Sequence, residues 1–265
     1  KDVSTLFAAV GKPTDSLVSF AGSTADTKNG AYALSVTQLA TQGKAVGGGA
    51  AVLTIGAGSN DSLNLTVDGV AASVTLAAGT YTAAALAAEL QSKINGVTAL
   101  SSAGIGVTVS QSAGVLTVTS NRYGSASSAI IAGGTAGADL FGAQTETAGV
   151  DVVGSIGGNT ASGSGQTLTG SGDSSGLALK VTGGATGARG SVSFARGYAY
   201  ELDKLVGRIL ENDSLLDGRM DGINASIKSI GTQREALARR LEGVEKRYRA
   251  QFTALDMMMA SMTKT

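Results

Sequence analysis

The chain has 265 residues, with 20 basic and 20 acidic side chains, no Cys, no His and no Trp. Balanced charge removes the electrostatic footprint that binding to nucleic acid or an anionic membrane needs, and the missing Cys and His exclude disulfides, thiol nucleophiles, soft-metal sites and imidazole catalysis. Aromatics are only 4%, so Ala, Val, Leu and Ile must supply the core, and no run reaches the ~18 apolar residues of a helical membrane span.

The chain opens at Lys1 without Met and without a signal-peptide pattern, and reads as a piece of a longer protein. Residues 1–20, with Leu6, Phe7 and Val10, are expected to be the N-terminal end of a helical stalk. From about Thr24 to Gly190 the chain is rich in Gly, Ala, Ser, Thr and Val and poor in charge; from Arg196 onward it is charged and rich in Leu, Ile and Met. This shift predicts an α+β multidomain fold: a β-rich head followed by a helical stalk over residues 195–265.

Within the head, Tyr32–Val36 reads as a strand. Leu63, Leu65 and Val67 lead through Asp68-Gly69 into Val70, Val74 and Leu76, a period-2 hairpin around a pair that favours the type I′ turn. The phase sets Val67 against Val70, Leu65 against Ala72 and Leu63 against Val74. A helix is predicted over Thr82–Ile94, with Ala83, Leu86, Ala87, Leu90 and Ile94 on one stripe and Asn95-Gly96 as its stop. A second hairpin carries Val107 and Val109 through Ser112-Ala113-Gly114 into Leu116 and Val118. These make a ββαββ module within residues 51–149, inserted into a discontinuous β domain of residues 21–50 and 150–194. The Gly/Ser tract from Gly157 to Gly176 reads as a flexible loop or edge connection, and Leu177–Val181 and Val192–Phe194 as strands.

The last fifty residues carry the strongest pattern. Leu216, Ile223, Ile230, Leu237, Val244, Gln251 and Met258 recur every seven residues, as do Met220, Ile227, Arg234, Leu241, Tyr248, Leu255 and Met262. Only Gln251 and Arg234 interrupt these columns, which is the coiled-coil repeat. Glu235–Arg239, Glu242–Lys246 and Glu245–Arg249 add acid-before-base pairs four apart, and Ser214 with Asp217 reads as a capping box. Gly218, Gly222, Gly231 and Gly243 each cost about 1 kcal/mol in a helix interior but miss the seam. A helix over Leu216–Met262 would run about 70 Å. Left bare, its stripe would forgo on the order of 20 kcal/mol of burial, so it is expected to pack on other helices, from N-terminal sequence outside this chain, from further copies or from a foreign partner. Arg234 inside the seam is a candidate for setting register or partner choice.

Enzymatic readings fare poorly. Gly47-Gly48-Gly49 and Gly183–Gly187 lack the Lys-Ser/Thr pair of a phosphate loop. Asp213, Asp217 and Asp221 lie along one helix face rather than in a calcium loop, and Asp61, Asp68 and Asp139 sit singly. The basic cluster Arg239, Arg240, Lys246, Arg247 and Arg249 is interleaved with glutamates, the mark of a coiled-coil flank. No catalytic, metal or cofactor site is expected, and no nucleic-acid partner.

Several motifs together resemble one family. Gly163–Gly170 (GSGQTLTG), Leu179–Gly190 (LKVTGGATGARG), Gln233–Leu237 (QREAL) and above all Glu245–Asp256 (EKRYRAQFTALD) are similar to the C-terminal half of the bacterial flagellar filament cap family, the hook-associated protein 2 family. The ββαββ module resembles the repeat module of flagellins and hook-associated proteins, and Tyr32–Ala40 the segment that opens the cap family's head. The resemblance implies a non-enzymatic homo-oligomer of several copies, extracellular at the filament tip and exported through the flagellar secretion apparatus. It implies flagellin and other hook-associated proteins as partners, and an export chaperone on the C-terminal helix toward Glu245–Met262. It also implies an N-terminal helical segment and a C-terminal tail outside this chain. Two other readings stay open: another axial protein, such as flagellin or a hook–filament junction protein, and a surface adhesin whose head binds host glycans.

Overall fold

The structure, a computed structural model, describes residues 9–210 and 215–263. It divides into two compact units, Lys1–Gly197 and Tyr198–Thr265.

The first unit runs β1 (Val10–Pro13), β2 (Val18–Gly22), β3 (Gly30–Gln38), β4 (Lys44–Val46), β5 (Thr54–Ile55), β6 (Ser62–Val67), β7 (Val70–Thr75), β8 (Gly79–Thr80), α1 (Ala83–Asn95), α2 (Thr98–Ser102), β9 (Val107–Ser112), β10 (Val115–Ser120), β11 (Ala129–Gly133), α3 (Gly137–Phe141), β12 (Thr145–Thr147), β13 (Val153–Ile156), β14 (Asn159–Ser164), β15 (Thr167–Thr169), β16 (Ala178–Val181) and β17 (Gly187–Ala195). Eight strands make one sheet in the order β1-β17-β3-β13-β14-β15-β16-β2. The sheet curls until its edge strands β1 and β2, neighbours in sequence, lie against each other. Gly11 of β1 lies so close to the Phe20 ring of β2 that a side chain there would collide with it. Val18, Leu34, Val36, Ile156, Leu168, Leu179 and Val192 fill the core of this sheet.

The chain between β3 and β13 builds a second core on the sheets β12-β4-β10-β9 and β11-β6-β7 and the small pair β5-β8. Its first hairpin has the register read from the sequence, with Leu63 on Val74, Leu65 on Ala72 and Val67 on Val70. Asp68 (φ 49°) and Gly69 (φ 84°) both take the left-handed conformation that a type I′ turn requires. Helix α1 starts where Thr82 accepts a hydrogen bond from the Ala85 amide at 3.2 Å and buries Leu86, Ala87, Leu90 and Ile94. It stops at Asn95 with Gly96 as its C-cap, as expected, but Gly96 keeps a right-handed φ of −79° rather than the left-handed turn of a glycine cap. Asn95 instead turns to strand β9, accepting from the Val107 amide at 2.8 Å and donating to its carbonyl at 3.0 Å.

Three expectations change. Residues 10–13 and 18–22 are strands β1 and β2, not the end of a helical stalk; Pro13 is foreign to a helix interior, and Val18 is buried in the sheet core while Phe20 packs against it. Leu6 and Phe7 lie outside the described residues. Second, β4 pairs with β10 and β12, so residues 44–46 belong to the second core rather than to the sheet of residues 21–50. Third, the Gly/Ser tract is not a loose connection: β14 and β15 stand in the middle of the large sheet. Backbone hydrogen bonds need no apolar side chains, and Gly163 approaches the Val152 carbonyl too closely for a methyl group.

The two cores meet at a hydrogen-bonded joint. The Thr41 amide donates to the Val150 carbonyl (2.9 Å), Gly124 to Thr41 (2.9 Å), Gly149 to Ser127 (2.9 Å) and Val152 to Gly165 (2.9 Å). Asp151 ties the strands together: its carboxylate accepts from the Gly165 amide at 2.6 Å and from the Ser125 amide and hydroxyl at 3.0 and 2.6 Å.

The second unit consists of α4 (Tyr198–Leu210) and α5 (Leu215–Met262). The expected Ser214 cap falls outside the described residues.

Gly163→Ala is expected to lower head stability by roughly 2–4 kcal/mol, because the new methyl group can be accommodated only by displacing backbone. Gly49→Ala, which meets nothing within 4 Å, should stay within about 0.5 kcal/mol of the parent. Urea unfolding followed by circular dichroism would compare the two.

Candidate assembly surfaces

Helix α5 is continuous over 48 residues, and its four glycines meet nothing within 4 Å. Met220, Ile223, Ile227, Ile230, Leu237, Leu241, Val244, Tyr248, Leu255, Met258 and Met262 all remain accessible, from 37% for Val244 to 74% for Met262. Arg234 lies among them, also exposed. Leu216 is in the helix, but its side chain is outside the described residues. Two of the three predicted ion pairs close, Lys246 on Glu242 and Arg249 on Glu245, each at 2.8 Å; such exposed pairs contribute little.

The helical geometry adds residues that the seven-residue columns miss. An α-helix drifts about 20° per heptad against a 3.5-residue repeat, so Phe252 and Met259 fall beside Leu255 and Met262 and widen the apolar face near the C-terminal end. Phe252 is 65% exposed. Their own spacing of seven was the available sequence signal.

In the head, the sequence-singled groups have structural roles. Asp68 accepts from the Ser120 hydroxyl and the Ser128 amide at 2.9 Å each, Asp61 from the Gly58 amide at 2.7 Å, and Asp139 from the Asn60 side chain at 2.8 Å. Gly48 packs directly on the Ala143 backbone. The second glycine string serves a buried cation that sequence reasoning passed over. Arg189 is 7% exposed. Its Nε donates to Asp15 at 2.5 Å and its Nη1 to the Ala185 carbonyl at 3.0 Å, while Nη2 is buried without an acceptor among the described residues. Gly184 (φ 97°) lies flat on the guanidinium, where a Cβ would stand 2.6 Å from Nη2. The LKVTGGATGARG motif is thus a loop folded over its own arginine, beside an open hollow of ≈ 460 Å³. A second hollow of ≈ 540 Å³, lined by Thr41, Gln42, Lys44, Thr119, Tyr123 and Thr147, adjoins the joint between the cores. No described helix is long and apolar enough to cross a membrane.

The family model described as "Flagellar hook-associated protein 2 C-terminus" matches residues 75–264. The chain belongs to this family. Among curated relatives, an "A-type flagellar hook-associated protein 2" of Pseudomonas aeruginosa is 38% identical over 69 residues, which are 26% of this chain and 14% of that protein. A "Flagellar hook-associated protein 2" of Salmonella typhimurium is 36% identical over 56 residues, 21% of this chain and 12% of that protein. Those matches therefore span about an eighth of each relative's length. Among solved structures, the D1-D2-D3 domains of the flagellar cap protein FliD from Escherichia coli align with a TM-score of 0.51 at 16% identity, covering 77% of this chain and 62% of that one. At that identity the likeness is one of fold.

Two carboxylates make head stability depend on pH. The hydrogen bond from Arg189 holds Asp15 below its ordinary 3.8, and the Ser125 hydroxyl followed by the Gly165 amide does the same for Asp151. With the folded-state value lowered, each contribution is complete above pH 3.8 and is lost as pH falls through the folded-state value. Asp15→Asn and Asp151→Asn should therefore melt below the parent at pH 7, with a gap that closes on acidification below about pH 4. Thermal melts of the three proteins from pH 7 to 2.5 would measure it.

Proposed function

We propose that this chain is part of the cap at the distal tip of a bacterial flagellar filament, a non-enzymatic piece that assembles from several copies and helps exported flagellin fold into place. The observation that carries this reading is the exposed apolar column of α5 in a chain of the hook-associated protein 2 family. A 48-residue helix with such a column needs helical partners, and the heptad spacing fits a coiled-coil stalk. The seam would run through Leu216, Met220, Ile223, Ile227, Ile230, Leu237, Leu241, Val244, Tyr248, Leu255 and Met262, with Arg234 setting register or partner choice. In this reading residues 198–265 are the leg. The head has an outer lobe, residues 41–149 with the ββαββ module, inserted into a discontinuous β lobe of residues 10–38 and 153–195. The cap works extracellularly, reached through the flagellar secretion apparatus, with flagellin and other hook-associated proteins as partners and an export chaperone on the helix around Glu245–Met262.

Light scattering over a concentration series tests the reading. A closed assembly of a few copies that accelerates flagellin polymerisation supports it, and a strict monomer without effect on flagellin overturns it. Filaments formed by this protein alone would make it a different axial protein, and glycan-array binding by the head would favour an adhesin. Leu237→Asp combined with Leu241→Asp should shift the assembly at least tenfold toward monomer, because two charges would enter the seam, while the melting of the head stays unchanged.

A further inference from the structure

Sheet edges offer rows of unpaired N–H and C=O groups to any extended chain, and proteins normally block them. All long edges of this head but one are blocked, by three different means. Strands β1 and β2 close on each other. Along β9, Asn95 takes both Val107 backbone groups and Gln91 accepts from the Val109 amide at 2.9 Å. Along β11, Glu146 accepts from the Ile131 amide at 2.9 Å and Gln144 donates to the Ile131 carbonyl at 3.3 Å.

Strand β7 is the exception. Its hairpin register commits the backbone groups of Val70, Ala72 and Val74 to β6, so those of Ala71, Ser73 and Thr75 point outward. None of these outward groups has a partner among the described residues, and all three residues are exposed. Helix α2 packs against β7 through Leu100, which is buried in the same core as Ala72 and Val74. No lysine, proline or bulge guards the edge, and residues 69–88 contain no charged residue.

We propose that β7 is a docking edge for an extended, uncharged segment of an unfolded chain, added as a further antiparallel strand. This rests on the cap reading and names the part of the head that would hold flagellin before it folds. A second copy fits less well. Self-pairing of β7 is two-fold and joins only two molecules, whereas a closed ring sets one surface against a different one, and the other long edges of the head are taken. Six residues give about 20 Å of strand, a line of contact well short of the ~1,200 Å² of a stable interface. That suits transient capture. With small side chains outward, recognition runs through the backbone and tolerates many sequences.

Residue-resolved amide exchange on the whole chain, alone and with flagellin diluted from urea, tests this. The Ala71, Ser73 and Thr75 amides should exchange freely in the protein alone and slow at least tenfold with unfolded flagellin. Ser73→Pro removes an outward donor without touching the β6 ladder and should abolish the slowing. Ser73→Lys, which keeps the backbone, should weaken it, and unchanged protection elsewhere would show that both variants fold. Absence of slowing in the parent overturns the proposal, as does slowing that survives Ser73→Pro. Slowing that grows with protein concentration without flagellin identifies a second copy and also overturns it. If slowing is absent while flagellin polymerisation is still accelerated, the edge proposal alone falls and the cap reading stands.

Discussion

The head depends on how closely backbone can approach backbone where the chain passes between its two cores. Asp151 gathers the amides of Ser125 and Gly165, while Gly124, Gly149 and Gly163 leave no space for a Cβ beside neighbouring carbonyls or the Asp151 carboxylate. The register of β13 and β14 starts from this point. Such a joint needs glycine and small polar residues, which explains a composition poor in aromatics and rich in Gly, Ser and Thr. Stability there comes from satisfied backbone groups more than from large buried side chains.

The two units solve the burial problem in opposite ways. The head hides its apolar residues within two cores and blocks the edges of β9 and β11 with side-chain amides and a carboxylate. The long helix leaves its apolar column exposed, a face of the kind that marks a packing surface for further helices. Arg189 shows the head's method on a small scale. A buried guanidinium is held by Asp15 and one carbonyl, and a glycine loop lies over it in place of side-chain packing.

Legibility followed periodicity. The Asp68-Gly69 hairpin, the Thr82-capped helix and the second hairpin were readable because alternation or a 3.6-residue stripe persisted over enough residues. The family resemblance rested on short motifs such as EKRYRAQFTALD. Strands β14 and β15 were not readable, since Asn159–Ser164 has almost no apolar residue and looks like linker. Strand β4 has three residues and no period of its own. The N-terminal run carries only a few apolar residues, too few to separate helix from strand.

By itself the sequence determined the division into a β-rich head and a heptad-bearing helix, the register of the Asp68-Gly69 hairpin, the exclusion of Cys and His chemistry, and the apolar column from Met220 to Met262, because each is written in local order or composition. Only the tertiary structure decided which strands share a sheet, the joint around Asp151, the Arg189 clasp and the open edge of β7. Those depend on residues far apart in sequence, such as Thr41 with Val150 or Asp15 with Arg189, whose meeting is set by packing and by backbone hydrogen bonds that no local pattern records.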